Sequence, residues 1–134
     1  MTQVNKGTAL TTGASGGIGA VYAEQLAQRG YDLILVARNT QRLHDVAQRI
    51  RSNRGQRVDL IAADLTSDTG LADVEARLRD DSGITLLVNN AGTGTHTPLL
   101  DSDITQMSKM ITLNISALTR LTYAAVPGFV ARGH

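Results

Sequence analysis

Cysteine is absent from this sequence, which excludes a disulfide framework and a thiolate metal site. Aromatic residues make up only 3% of the chain, too few for a protein that stacks nucleic-acid bases on its rings. The formal net charge is +1, which disfavours electrostatic binding to nucleic acids or membranes. No stretch approaches the roughly 20 apolar residues of a membrane span, and the first ten residues contain no apolar run of signal-peptide length. These absences predict a soluble, cytoplasmic protein.

The apolar residues that are present alternate between strand and helix patterns. Short β-type runs occupy 8–12, 31–37, 57–63 and 84–90, and each is followed by apolar residues at helical spacing. The last helix is predicted to begin near Ser102 or Asp103 and to end near Arg132, with a kink at Pro127. This βαβαβαβα order, with short connections and 134 residues, predicts one α/β domain in which helices cover both faces of a parallel sheet.

Two helices have apolar residues whose spacing predicts a buried face. In the first helix these are Ile18, Val21, Tyr22 and Leu26. In the last helix the set predicted to face the sheet is Ile104, Met107, Ile111, Leu118, Ala125 and Phe129. Apolar residues off that stripe are Ile115, Leu121 and Val126. A helix that is apolar on more than one side is usually buried on more than one side, so the last helix is expected to have a second contact surface.

The segment TTGASGGIGA, at 11–20, lies between the first strand and the first helix. Ligands of parallel α/β sheets bind beyond the carboxyl ends of the strands, where a helix amino terminus offers free N–H groups to a phosphate. Glycines at this point would let the anion approach the backbone. The spacing differs from G-x-G-x-x-G, and no Lys-Ser/Thr follows as in a P-loop. The segment therefore indicates a phosphate-binding turn, with a tight turn that binds nothing as the alternative.

Further motifs follow in a fixed order: Asp64 with Leu65 after the third strand, NNAG at 89–92 after the fourth, and Asn114 in the last helix. Together with TTGASGGIG, they closely resemble the short-chain dehydrogenase/reductase family from Thr8 to His134. The resemblance implies a Rossmann-type doubly wound sheet of four βα units in strand order 3-2-1-4. It also implies an oxidoreductase that interconverts an alcohol and a carbonyl by hydride transfer with a nicotinamide cofactor.

The resemblance further implies which residues bind that dinucleotide. The residues of the pyrophosphate turn would be Gly13, Ser15, Gly17, Ile18 and Gly19. Asp64 would accept a hydrogen bond from the adenine amino group, with Leu65 against the ring. A third group would hold the central sheet and contact the adenosine ribose side of the cofactor, namely Asn90, Ala91 and Gly92.

Asn114 is the one catalytic residue that the resemblance assigns to this sequence, ordering a water in a proton relay. Its spacing from Met107, Ile111 and Leu118 also places it on the apolar stripe of the last helix. A buried amide without partners is costly, so Asn114 should have specific ones, and a structural tie to neighbouring backbone is the alternative role.

No metal site is predicted, since His96 in the loop after the fourth strand has no partner at ligand spacing.

Arg38 carries the prediction of cofactor preference. It follows the second strand, and no Asp or Glu that could bind ribose hydroxyls lies between Leu33 and Asn39. A guanidinium can instead bind a 2′-phosphate with two parallel hydrogen bonds. We therefore expect NADP(H) to be preferred over NAD(H). The alternative is a solvated arginine next to a basic helix, and the glycine turn offers no second basic residue.

One departure from the family concerns its catalytic Ser and Tyr-x-x-x-Lys. The three tyrosines are followed four residues later by Leu26, Leu35 and Pro127, so no Tyr-x-x-x-Lys is present. We expect 1–134 to be one dinucleotide-binding domain, truncated before the fifth strand and inactive alone. The competing hypothesis is a nucleotide-binding module without chemistry. The resemblance also implies a small-molecule carbonyl or alcohol substrate and a homodimer or homotetramer formed through the helix at 103–132.

Overall fold

A computed structural model describes residues 5–54 and 56–134, without the side chains at 53 and 54. Strands and helices alternate along this part of the chain. The strands are β1 Thr8–Thr12, β2 Asp32–Ala37, β3 Val58–Ala62 and β4 Ile84–Val88. The helices are α1 Gly17–Gln28, α2 Thr40–Arg54, α3 Asp68–Asp80, α4 Ile104–Ile111 and α5 Leu118–Arg132. A short 3₁₀ turn, Leu99–Asp101, precedes α4, and a π-helical segment, Thr112–Ala117, joins α4 to α5.

The four strands form one parallel sheet in the order β3-β2-β1-β4. This order and the helical connections confirm the predicted Rossmann-type sheet. Both neighbours of β1 lie parallel to it, with Leu10 opposite Ile34 of β2 and Leu87 of β4. All four strands therefore end at the same edge of the sheet, which gathers the loops that follow them.

Each face of the sheet carries its own apolar core. One core contains Leu33 and Leu35 of β2 with α1 and α2, and the other contains Ile34 and Val36 with α3 and α5. β2 is thus buried on both sides, as its continuous apolar run predicts. The predicted apolar faces of α2 and α3 are also buried, namely Leu43, Val46, Ala47 and Ile50, and Leu71, Val74 and Leu78.

The predicted face of α1 is wrong. Ile18, Val21 and Tyr22 are 68%, 53% and 51% exposed, and only Leu26 of that set is buried. The buried side is made mostly of alanines, Ala20, Ala23 and Ala27. Small side chains on that side let the helix lie close to the sheet, whereas the larger residues remain outside.

The last helix runs from Ile104 to Arg132 as predicted. The set predicted to face the sheet is right only in part: Ala125 is buried and Phe129 packs against the core. Ile104, Ile111 and Leu118 are exposed, whereas Leu121 is 1% exposed and packs in the core together with Ala117 and Ala125. Apolar residues cover so much of this helix that spacing alone does not select the packed side. Asp103 accepts a hydrogen bond from the Thr105 amide at 2.8 Å, so it caps the helix at the predicted start. The helix continues through Pro127, and the left-handed Gly133 ends it.

Two arginines attach α5 to its neighbours. The Arg120 guanidinium donates to both carboxylate oxygens of Glu75 on α3, at 2.5 and 3.2 Å. Arg132 donates to the carbonyl oxygen of Ile84 in β4 at 2.7 Å.

Among the described residues, none of the helices has both the length and the apolar character needed to cross a membrane.

Candidate functional site

A cleft of about 1040 Å³ lies at the sheet edge where the four strands end. The loops after all four strands contribute to it, as does the inner side of α4. The predicted site residues that line it are Gly13, Ser15, Arg38, Asp64, Leu65, Ala91 and Gly92. The remaining ones, Gly17, Ile18, Gly19, Asn90 and Asn114, stand behind or beside this lining.

The glycine turn after β1 requires its glycines for two different reasons. Gly13 and Gly17 have left-handed φ angles of 63° and 55°, which residues with a Cβ rarely adopt. At Gly19 the backbone is helical, but a Cβ there would overlap the carbonyl oxygen of Gly13 and lie 2.5 Å from Nδ2 of Asn90. Gly16 faces open space, and Ile18 is 68% exposed. Ile18, in the first turn of α1, does not line the cleft.

Thr12, which the sequence analysis did not single out, joins the glycine turn to the NNAG segment. Its buried hydroxyl oxygen accepts hydrogen bonds from the amides of Asn90 and Ala91, both at 3.0 Å. The Asn90 side chain in turn donates to the Gly13 carbonyl at 3.3 Å. These bonds lock the ends of β1 and β4 together. The sequence does contain one indication of this role, because Thr12 places a hydroxyl at the end of the first strand, directly before Gly13.

Positively charged side chains line the cleft. Arg38 is exposed directly after β2, and Asn39 caps α2 by accepting a hydrogen bond from the Arg42 amide at 3.0 Å. Arg42 and Lys109, both exposed, also line the cleft. Neither was predicted as a site residue, because Arg42 belongs to a basic stretch that resembles a solvated helix face and Lys109 lies far along the chain.

Asp64 is the partly buried acidic residue at the end of β3. Its Oδ1 accepts hydrogen bonds from the Thr66 hydroxyl at 2.6 Å and the Thr66 amide at 2.9 Å. These two bonds lower the pKa of Asp64, and the nearby Arg38 and Lys109 lower it further. Within the described residues Oδ2 has no hydrogen-bond partner, so it is available to a donor in the cleft. Leu65, 5% exposed, belongs to the core below the cleft wall.

Asn114 lies in the π-helical segment and binds the backbone of the loop after β4. Its Oδ1 accepts from the Thr93 amide at 2.9 Å, and its Nδ2 donates to the Thr93 carbonyl at 2.7 Å. A Cβ at Gly92 would lie 3.0 Å from Oδ1, so a glycine there leaves room for the amide. The structural tie to neighbouring backbone, given above as the alternative role of Asn114, is therefore present. π-helical segments inside α-helices are frequent at functional sites, and this one places Leu113 in the cleft wall.

The model of the short chain dehydrogenase family matches residues 7–134. The chain belongs to the short-chain dehydrogenase family. The predicted resemblance is thereby confirmed. An uncharacterized oxidoreductase of Staphylococcus epidermidis is 33% identical to this chain over 128 residues, which are 95% of the chain and 54% of that relative.

Two solved dehydrogenase structures show the same fold. The bulky-bulky ketone specific alcohol dehydrogenase from Comamonas testosteroni superposes with a TM-score of 0.94 and 43% identity, over 97% of this chain and 52% of that one. A short-chain dehydrogenase from Sphingobium yanoikuyae in complex with NADPH gives a TM-score of 0.92 and 48% identity, over 95% of this chain and 50% of that one. The chain thus spans about half the length of these relatives.

Proposed function

We propose that this chain is the cofactor-binding part of an NADP(H)-dependent oxidoreductase that interconverts an alcohol and a carbonyl compound. The observation that carries the proposal is the cleft itself. A turn with two left-handed glycines, an exposed arginine, and a carboxylate with one oxygen that no described residue hydrogen-bonds meet at the carboxyl edge of a parallel sheet. When bound, the dinucleotide supplies or accepts the hydride.

The residues of the cleft fit the parts of such a dinucleotide. The glycine turn and the amino terminus of α1 would hold the pyrophosphate, because N–H groups and the positive end of the helix dipole face an anion there. Arg38 would bind the 2′-phosphate with its guanidinium. Asp64 would accept a hydrogen bond from the adenine amino group at Oδ2. The solved relative from Sphingobium yanoikuyae, described in complex with NADPH, supports the choice of cofactor.

The substrate class is proposed from the same family. The relative from Comamonas testosteroni is described as specific for bulky ketones, which supports a small-molecule carbonyl or alcohol substrate here. Asn114 would contribute by fixing the Thr93 backbone beside the cleft and by ordering a water for proton transfer. General acid–base catalysis also needs a group of matched pKa.

None of the three tyrosines in these 134 residues has a lysine four positions later. We therefore expect residues 1–134 alone to hold cofactor weakly and not to turn over substrate. If the whole protein also lacks such a tyrosine–lysine pair, the second candidate function is favoured, namely a module that binds the nucleotide and catalyses no reaction.

The first experiment compares NADPH and NADH binding by the purified protein and its Arg38→Asp variant. Loss of a charge-assisted contact costs about 1.5–3 kcal/mol, so the substitution should weaken NADPH binding roughly ten- to a hundredfold. Binding of NADH should change little. Arg29→Asp, at the far end of α1, is the matched control and should retain the preference. Equal or tighter binding of NADH by the unmodified protein would contradict the proposed preference.

A further inference from the structure

Gly70, in the first turn of α3, packs directly against the backbone of Asp64. A Cβ at position 70 would overlap the Asp64 carbonyl oxygen and lie 3.0 Å from the Asp64 amide nitrogen and 2.8 Å from Oγ of Ser67. Two of these three atoms are backbone and cannot rotate away. Any larger residue at position 70 must therefore displace either α3 or Asp64.

Ser67 connects the two residues by hydrogen bonds. The Asp64 carbonyl accepts from the Ser67 amide at 3.1 Å and from the Ser67 hydroxyl at 2.9 Å. The Ser67 hydroxyl oxygen accepts from the Gly70 amide at 3.0 Å, which makes Ser67 the cap of α3. The Asp64 backbone is thus fixed to the end of a 13-residue helix rather than carried by a free loop.

The side chain of Asp64 is fixed from the same turn. Both Thr66 hydrogen bonds go to Oδ1, so they restrict the rotation of the carboxylate in the cleft lining, and among the described residues no hydrogen bond occupies Oδ2. Movement of the Asp64 backbone relative to Thr66 would change that rotation. The position of a single acceptor atom therefore depends on how closely α3 approaches β3.

We propose that Gly70 is a positioning residue for base selection. Because it has no side chain, α3 can approach Asp64 closely and fix its position. The Asp64 carboxylate then distinguishes a 6-amino purine from a 6-oxo purine. This inference rests on the proposed function, since it concerns the same cleft. It assigns a role to a residue that does not itself touch the cofactor.

The distinction follows from hydrogen-bond chemistry. The 6-amino group of adenine donates to a carboxylate, whereas the 6-carbonyl of hypoxanthine brings a second acceptor oxygen against it. An aligned Asp64 should therefore favour NADPH over deamino-NADPH, the same dinucleotide with hypoxanthine in place of adenine. A charge-assisted hydrogen bond corresponds to roughly a tenfold or greater preference. A displaced carboxylate would lose most of this preference while the phosphate contacts remain.

The test measures dissociation constants of NADPH and deamino-NADPH for the purified protein and three variants. Gly70→Ala should bring the ratio of the two constants to within about threefold. Asp64→Asn, whose amide can donate to a 6-carbonyl, should reduce or reverse the ratio. Gly128→Ala is the matched control, because it adds the same methyl group to a helical glycine that does not line the cleft and would meet only the guanidinium of Arg132. It should keep the unmodified ratio.

A purely structural role predicts a different result. In that case Gly70→Ala would lower the melting temperature but leave the ratio unchanged, and this outcome would overturn the inference. If Gly70→Ala does not fold, Ser67→Ala replaces it, since it removes the hydroxyl bond to Asp64 and should lower the ratio in the same direction. An unchanged ratio in folded Ser67→Ala overturns the inference as well. Failure of the unmodified protein to bind either dinucleotide overturns the proposed function and this inference together.

Discussion

At the scale of single residues, glycines in the same turn have different physical roles. Gly13 and Gly17 adopt backbone angles that disfavour a Cβ, Gly19 has no space for one, and Gly16 has both ordinary extended backbone and open space. The contact at Gly19 is with the carbonyl of Gly13 and the amide of Asn90, so it belongs to the junction between β1 and β4. Substitutions within four positions of one another should therefore differ sharply in effect.

Gly19→Ala should destabilise the protein far more than Gly16→Ala. The added methyl group at position 19 would force apart backbone atoms, and overpacking of this kind typically costs about 1–3 kcal/mol or more. The methyl group at position 16 contacts nothing within 4 Å, so its effect should stay within about 0.5 kcal/mol. Urea unfolding of the two variants without cofactor measures both values. Equal midpoints would show that the junction relaxes around the extra methyl.

Thr66→Val should weaken the fold in a pH-dependent way. The Thr66 hydroxyl and amide lower the pKa of Asp64, so the ionised carboxylate stabilises the native state above the unfolded pKa of about 3.9. That stabilisation is lost as the pH falls through the native pKa, which lies below this value. Removing the hydroxyl should cost about 1 kcal/mol at neutral pH.

The measurement is the difference in unfolding free energy between the Thr66→Val variant and the unmodified protein at several pH values. It should stay constant from neutral pH down to about 4.5 and shrink below about 3.9, where Asp64 becomes protonated in the unfolded chain. A difference that grows on acidification would show that the Thr66 hydroxyl acts on something other than the Asp64 carboxylate.

At the scale of elements, the strands could be predicted closely and the helix faces only in part. β1 is bounded as predicted, and β2, β3 and β4 are each shorter by one or two residues. The prediction of β2 succeeded because a strand buried on both faces is a continuous apolar run. The predicted faces of α1 and the last helix were right only in part, because alanines form much of each buried side and alanine carries little hydrophobic contrast.

The candidate site could be predicted where its residues directly follow strands. Arg38, Asp64 and the NNAG segment lie after the ends of β2, β3 and β4, and parallel strands bring such positions together. Thr12, Thr66 and Lys109 were missed. Their roles depend on partners whose approach only the packed structure shows, as with the Thr12 hydroxyl and the Asn90 amide 78 positions away.

The contact between α3 and α5 gives a prediction at this scale. Glu75 is a buried carboxylate held by Arg120 at 2.5 and 3.2 Å, whereas Arg79 of the same helix approaches it only to 3.9 Å. Arg120→Ala should therefore lower the melting temperature clearly more than Arg79→Ala, because it leaves Glu75 buried without its two hydrogen bonds. Thermal unfolding followed by circular dichroism tests this. The reverse order would mean that Glu75 gains its stabilisation within α3.

At the scale of the whole molecule, the last helix leaves a second apolar side exposed. We name its large residues the outer face: Ile111, Ile115, Leu118, Val126 and Val130, which are 42–75% exposed. Ile115 and Val126 lie off the sheet-facing side as predicted, whereas Leu121 does not. These residues recur at spacings of three, four and eight, so they form one stripe along α4, the π-helical segment and α5. A stripe of this length is a fitting surface for a second copy of the same helix.

We therefore expect the protein to form a homodimer or homotetramer through the outer face, and Ile115→Glu to dissociate it. Burying an isoleucine stabilises by about 1.5–3 kcal/mol, and a two-fold interface contains the residue twice, so dissociation should be favoured at least a hundredfold. Sedimentation equilibrium at micromolar concentration is the measurement. Ala72→Glu, on the exposed side of α3, adds the same charge elsewhere and should leave the assembly intact. An unmodified protein that sediments as a monomer would exclude the interface, whereas an oligomer that persists in Ile115→Glu would place it on another surface.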